Sequence, residues 1–239
     1  MRFRPQKAPE TASVQLVVSL ESLAGEDRDH VGSKAVNLGR MIRAGLPAPR
    51  GFCVTTTAFG LWLDACPTAQ PSLDGLDRLD ATQTKETQQT AAGLRQKLTN
   101  APLPDSVEHA LVAAWTQYGP EMAWAVRSSA TQEDLPDASF AGQHDTFLNV
   151  SGREALLNAV RGCWVSLFTD RAVFYRMKNR LPQRSAAMAV VVQEMVPADA
   201  AGILFTVHPV TGNARHMVIE GACGLGEALV SGKVSPDRF

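Results

Sequence analysis

The sequence predicts an α+β fold, and three observations carry that prediction. Valine-rich or alternating runs with strand character recur along the whole chain, at 13–19, 51–55, 122–126, 146–150, 188–194, 202–207 and 216–220. Between them lie stretches with apolar residues at i, i+3 and i+4, the spacing of a helix face, of which 107–118 is the clearest. The last two strands are joined by the short turn His208-Pro209-Val210-Thr211-Gly212 and read as a hairpin, which mixes antiparallel pairing with helices. At 239 residues the chain has material for one large domain or two small lobes.

Taken in order, the start MRFRPQKAPE is basic but leads into no apolar run, so 1–12 is expected to be a disordered tail before a fold spanning 13–239. Residues 21–30 are charged and read as a loop. In the helix that follows, Ala35, Leu38, Met41 and Ile42 share one face, Gly45 stands where a C-terminal cap belongs, and Pro47 and Pro49 forbid continuation. Lys34 falls in its first turn, just after Gly32-Ser33, where the positive end of the helix dipole favours an anion; a solvated charge is the plainer reading. Thr56 or Thr57 is expected to cap the helix carrying Phe59, Trp62, Leu63 and Cys66. Residues 68–84 read as a polar loop or weak helix. A helix with Leu94 and Leu98 inward follows, then one opened by Asp105 and Glu108 as a capping box.

The stretch AVRSSATQEDLPDASFAGQHDTFLNV, from Ala125 to Val150, concentrates the chemistry. An apolar strand at 122–126 delivers Arg127 to its end, next to Ser128, Ser129 and Thr131, and a small-residue turn around Gly142 precedes the strand that begins at Thr146. A guanidinium forks onto phosphate oxygens, and backbone N–H groups of a small-residue loop add donors without bulk. The same residues also suit a polar hairpin loop with a surface arginine. Beyond it come a helix over 154–168, a second that Asp170 can cap, and the strand 188–194. On that strand Gln193 shares a face with Ala189 and Val191 and wants a partner if buried.

Composition bounds the function classes. With 45% hydrophobic and 20% charged residues, the chain is an ordinary globular protein. Its 23 basic and 24 acidic residues provide no field to hold nucleic acid or an anionic membrane, and no segment is long and apolar enough to span one. Four scattered cysteines without paired spacing favour reduced thiols in a cytoplasm over disulfides or a zinc site. Walker A, G-x-G-x-x-G and G-x-S-x-G patterns are all absent.

The stretch from Ala125 to Val150 closely resembles the nucleotide-binding domain shared by phosphoenolpyruvate synthase, pyruvate phosphate dikinase and rifampicin phosphotransferase. GSKAVNLG around Lys34, GFCVTTTAF, VVQEMV around Gln193 and GLGE at 224–227 extend the resemblance over most of 23–239. It departs at Ser33, where the family has glycine, and at His208, where an acid is common. The resemblance implies an ATP-grasp fold of two α+β lobes, with a lobe linker near 193–198 and the domain C-terminally incomplete. It implies that Lys34 and Arg127 hold ATP phosphates and act in catalysis, that Gly142 and Thr146 line the loop over them, and that Gln193 lies by the nucleotide. The implied reaction passes phosphate from ATP to a histidine on a swivelling domain and on to pyruvate, a dikinase-type kinase activity in the cytoplasm. The partners are then that domain and an acceptor domain in a longer chain. Mg2+ is an expected cofactor with ligands beyond Phe239, none being assigned within this chain. A rifampicin-type phosphotransferase and a non-catalytic nucleotide-binding remnant are the alternatives.

Overall fold

The computed structural model describes residues 15–23, 28–80, 82–130, 134–135, 138–139 and 145–239. The tail expected at 1–12 and the loop residue Gly142 lie outside the described residues. The chain divides into two compact units, Met1–Met195 and Val196–Phe239.

In the first unit the described elements run β1 (Val17–Ser19), α1 (Arg28–Arg43), β2 (Gly51–Val54), α2 (Thr56–Asp64), α3 (Gln70–Arg78), α4 (Thr84–Thr99), α5 (Asp105–Tyr118) and β3 (Trp124–Ala130). They continue through β4 (Asp134–Leu135), β5 (Ala138–Ser139), β6 (Thr146–Val150), α6 (Arg153–Ser166), α7 (Asp170–Lys178) and β7 (Met188–Glu194). Five strands form one sheet in the order β1-β2-β7-β3-β6, with every neighbouring pair antiparallel. β4 pairs separately with β5.

The central strand, β7, explains the layering. Its Val190, Val191 and Val192 are all fully buried, so both faces of the sheet are covered there. On one face Phe52, Val54, Trp124, Val126, Met188, Val190 and Val192 join Trp62, Leu94, Leu111 and Trp164 of the helices in the main core. On the other, small Cys53 and Ala189 with Val191 admit Val31, Ala35 and Val36 of α1 in a thinner second core. The close approach there leaves no room at Gly39, where a Cβ would stand 2.9 Å from that of Leu23.

Several expectations hold and several are corrected. Gly45 ends α1 at φ +72°, with its N–H donating to Ile42 O and that of Leu46 to Met41 O, both at 3.0 Å, which is a Schellman close. Of the loop expected over 21–30, residues 21–22 lie instead in a 3₁₀ turn at Leu20–Ser22 and 28–30 in the first turn of α1, while 24–27 lie outside the described residues. The segment 68–84 holds a regular helix, α3, because Leu73 and Leu76 are spaced to enter the core and Pro71 suits a first turn. Thr55, not Thr56 or Thr57, caps α2 by accepting from Ala58 N. No capping box forms at α5; Glu108 pairs with Arg153. Thr169 caps α7, and Asp170, its first residue, accepts from Arg95 at 2.7 Å. β3 runs on to Ala130, so Arg127 lies within a strand and not at its end.

The second unit is a three-stranded antiparallel sheet of β8 (Ala200–Phe205), β9 (Val218–Cys223) and β10 (Asp237–Arg238), with the short α8 (Gly226–Val230) between the last two in sequence. The hairpin is present, with its return strand two residues later than expected. Gly226 approaches Ala201 on one face of this sheet, where a Cβ would meet that of Ala201 at 3.5 Å. Leu204 and Ile219, paired on the opposite face, are exposed, as is Phe239, whose backbone bonds Ile219 in both directions. His208, in the place where an acid was expected, closes the hairpin turn: its Nδ1 accepts from the N–H groups of Val210 at 3.3 Å and Thr211 at 3.2 Å.

Candidate functional site

Strand register decides which side chains meet. Residues opposite one another across a ladder point to the same face, and the face alternates along each strand. Arg127 stands opposite Thr146 on β6 and Val191 on β7, Ser129 opposite Ala189, and Ala125 opposite Gln193. Val191 and Ala189 belong to the thinner core beneath α1. Arg127, Ser129, Gln193 and Thr146 therefore share the sheet face on which α1 packs. Arg127 is half-buried, and among the described residues its side chain has no hydrogen-bond or ion-pair partner. A guanidinium held on an inner strand, with no carboxylate partner among the described residues, is suited to an anionic ligand.

The first turns of α1 carry Lys34 onto the same face. α1 is broken at Gly32, whose φ of 73° and ψ of 170° belong to a region that only glycine readily occupies. The break presses the backbone against β3: a Cβ at Gly32 would lie 2.2 Å from Ser129 O and 2.4 Å from its Oγ. Ser129 Oγ donates to Val31 O at 2.9 Å and accepts from Ala35 N at 3.4 Å. A second strand holds the same carbonyl, since Cys53 Sγ donates to Val31 O at 3.7 Å. Thr56 Oγ1, at the start of α2, donates to Asp29 O at 3.1 Å and fixes the segment before the break. Lys34 itself is half-buried, two residues past the break.

The remaining predicted residues divide. Gln193 is buried at 6% exposure, and its side-chain bond among the described residues is long, Nε2 donating to Pro49 O at 3.5 Å. Its backbone is locked from both sides, by Ala125 on β3 and by Gly51 on β2, where a Cβ would stand 2.2 Å from Val192 O. Thr146 is exposed on the edge strand. Gly142 lies outside the described residues.

Electrostatics tie Lys34 to the β6 end of the sheet. Burial pushes the Cys163 thiol far up and the charge of Asp145 pushes it further, while the Lys34 charge pulls the other way. Cys163 Sγ donates to Asp145 O at 3.6 Å and to Val126 O at 3.9 Å, so it sits behind the strand that carries Arg127. Cys53 is likewise pushed far up by burial. Both thiols pack as small apolar groups, and all four cysteines are free. Among the described residues no group of three or more His, Cys, Asp or Glu side chains could hold a metal ion.

Sequence reasoning missed two groups of this face. Ser129 is legible as a hydroxyl beside Arg127, yet nothing local shows that it reaches α1, 94 residues away in the chain. Cys53 reads only as a strand residue, although its thiol meets Val31 O.

Comparison with known proteins follows the same stretch. The family model described as pyruvate phosphate dikinase, AMP/ATP-binding domain, matches residues 28–239. A rifampicin phosphotransferase from a Streptomyces species is 48% identical over 226 residues, covering 94% of this chain and 26% of its own length. A probable phosphoenolpyruvate synthase from Methanothermobacter thermautotrophicus is 42% identical over 237 residues, covering 97% of this chain and 34% of its own. A phosphoenolpyruvate synthase from Aeropyrum pernix is 42% identical over 231 residues, covering 94% and 28%. The chain thus spans between a quarter and about a third of these relatives.

Proposed function

This chain belongs to the pyruvate phosphate dikinase AMP/ATP-binding domain family, and we propose that it is the ATP-binding portion of a longer phosphoenolpyruvate synthase-like dikinase. The reading rests on one observation above the others. Arg127, Ser129, Gln193 and Thr146 share a single sheet face, and α1 brings Lys34 to that face by a turn hydrogen-bonded to Ser129. The proposed roles are division of labour along that face. Arg127 takes phosphate oxygens in a fork, Lys34 adds a point charge, and Gln193, whose amide makes a long bond to Pro49 O, lies along the nucleotide. Thr146 and Gly142 are assigned to the loop over the phosphates. Phosphoryl transfer asks for this kind of positioning and charge neutralisation more than for a nucleophile from the binding domain.

The two units Met1–Met195 and Val196–Phe239 are proposed as parts of the two lobes of an ATP-grasp fold, with the linker near 193–198. Phosphate is proposed to pass to a histidine on a swivelling domain and then to pyruvate on an acceptor domain, both in the longer chain, in the cytoplasm. Mg2+ is the expected cofactor and would supply charge neutralisation when bound. Among the described residues no cluster of His, Cys, Asp or Glu is offered to it. A second acceptor class is supported by the 48% identity to a rifampicin phosphotransferase, which would keep the ATP site and change only what receives phosphate.

The test is calorimetric titration of ATP into the wild type, Arg127→Lys and Arg78→Ala. Arg78 is an exposed residue in the last turn of α3 and serves as the control. Losing the forked contact should weaken ATP binding about ten- to a hundredfold, with Arg78→Ala unchanged. Equal affinities for all three would remove Arg127 from the site, and a wild type that does not bind ATP would remove the function.

A further inference from the structure

The geometry points to Ser129 as a positioning residue for Lys34, a role that rests on the ATP reading and extends it to a group that itself touches no phosphate. A helix start leaves its first N–H groups without intrahelical partners, and an N-cap side chain ordinarily accepts from the N–H two or three residues on. In α1 the helical run resumes at Ser33 after the break, so the cap position is Gly32, which has no side chain to offer. The N–H three residues past Gly32 is that of Ala35, and Ser129 Oγ accepts from it at 3.4 Å. The hydroxyl uses its own proton on Val31 O at 2.9 Å, on the other side of the break. One fully buried hydroxyl on β3 thus spans the break from its last residue before to its third after, and caps the helix from another element.

Lys34 is enclosed between those two attachment points. Its Cα cannot shift along or around the helix without stretching one of the two bonds. The same strand carries Arg127 two residues earlier, on the same face. Ser129 therefore sets the register between the two cations: Arg127 is fixed by the ladder, and Lys34 is fixed to the ladder through the serine. The empty cap position has its explanation in the same contact, because Gly32 must be bare for the Ser129 backbone and hydroxyl to come within 2.2–2.4 Å of where a Cβ would be.

The experiment is a double-mutant cycle on the full 239-residue chain, with ATP and AMP as calorimetric probes and thermal unfolding recorded for each variant. Ser129→Ala should weaken ATP by about tenfold, the worth of one N-cap hydrogen bond, and leave AMP, which lacks the two outer phosphates, within a factor of two (about experimental error). On top of Lys34→Ala it should add nothing, since it acts through that lysine. Ser166→Ala, which removes another buried hydroxyl at 2.7 Å from Cys163 O in α6, should lower stability without changing the ATP-to-AMP ratio. Full additivity with Lys34→Ala, or equal losses for ATP and AMP, would overturn the role. If Ser129→Ala does not fold, amide exchange in the wild type decides: ATP should slow exchange at Ser33 to Ala35, and unchanged rates there in the ATP-bound chain overturn the role. Lys34→Ala binding ATP like the wild type would overturn it together with the assignment of Lys34. Failure of the wild type to bind ATP would overturn the whole reading.

Discussion

At the scale of single residues, Gly32 and Ser129 show how little space separates the fold from the site. Gly32 combines a φ of 73° with a ψ of 170°, a conformation that costs an ordinary residue about 1–3 kcal/mol. A methyl group there would also overlap backbone atoms of Ser129, which a rotamer change cannot relieve. Gly32→Ala should therefore lower unfolding free energy by more than about 2 kcal/mol. Gly60, inside α2 with open space around its Cβ position, makes the contrast: Gly60→Ala should be stabilising by about 0.5–1 kcal/mol. Urea unfolding of both variants checks the pair, and a Gly32→Ala chain as stable as the wild type would mean that α1 does not sit on β3 in this way. None of this contact is visible in the sequence, where GSKAVNLG and AVRSSA are separate motifs. The serine could be read as polar; its partner could not.

At the scale of elements, periodicity was a good guide wherever the pattern was apolar and a poor one where function or polarity interrupted it. β7, with three consecutive valines, is the strand the alternation predicts, and α1 stops at the glycine that reads as its cap. The strand β3 extends four residues past the expected end at Val126, because Arg127, Ser128 and Ser129 look like a loop in the sequence. Their pairing with β7 through Ala130 and Met188 keeps them in the ladder, so pairing overrides composition. α3 was obscured by its polar surface, since two inward leucines are too few to stand out against a background of Asp, Gln and Ser. Beside β1, the turn at Leu20–Ser22 and α5 are tied by a polar cluster: Tyr118 Oη donates to Glu21 Oε2 at 3.0 Å, and Ser19 Oγ donates to the same carboxylate. Burial alone would push the Glu21 carboxyl up, but these hydrogen bonds and the Arg50 charge outweigh it and hold it below its ordinary 4.5. A carboxyl lowered in the folded state stabilises above the unfolded value and loses that contribution as pH falls through the folded one. The stability advantage of wild type over Glu21→Gln should thus be constant above about pH 6 and shrink below 4.5, which chemical unfolding across pH 3–7 measures. An advantage that grows on acidification would contradict the cluster.

At the scale of the whole molecule, the match to its relatives covers nearly all of this chain and between a quarter and about a third of theirs. The proposed cycle places the phosphohistidine and the acceptor site on other domains of a longer chain. The 239-residue chain, given ATP and pyruvate, should therefore yield no pyruvate-dependent AMP, and detection of AMP by chromatography would show that a complete cycle runs within it. The resemblance is legible from the stretch after Ala125 together with motifs on both sides, whereas the exposure of the second sheet is not, because alternation says which residues share a face and not whether that face is covered. That open face, with Leu204, Ile219 and Phe239 towards solvent, has a colloidal consequence. A chain of net charge −1 at pH 7 has almost no long-range repulsion to keep its copies apart. Added salt, which screens even that, leaves apolar contact to govern encounters between copies, and Leu204, Ile219 and Phe239 are among the exposed side chains that would make it, so the protein should scatter light at lower concentration as ionic strength rises.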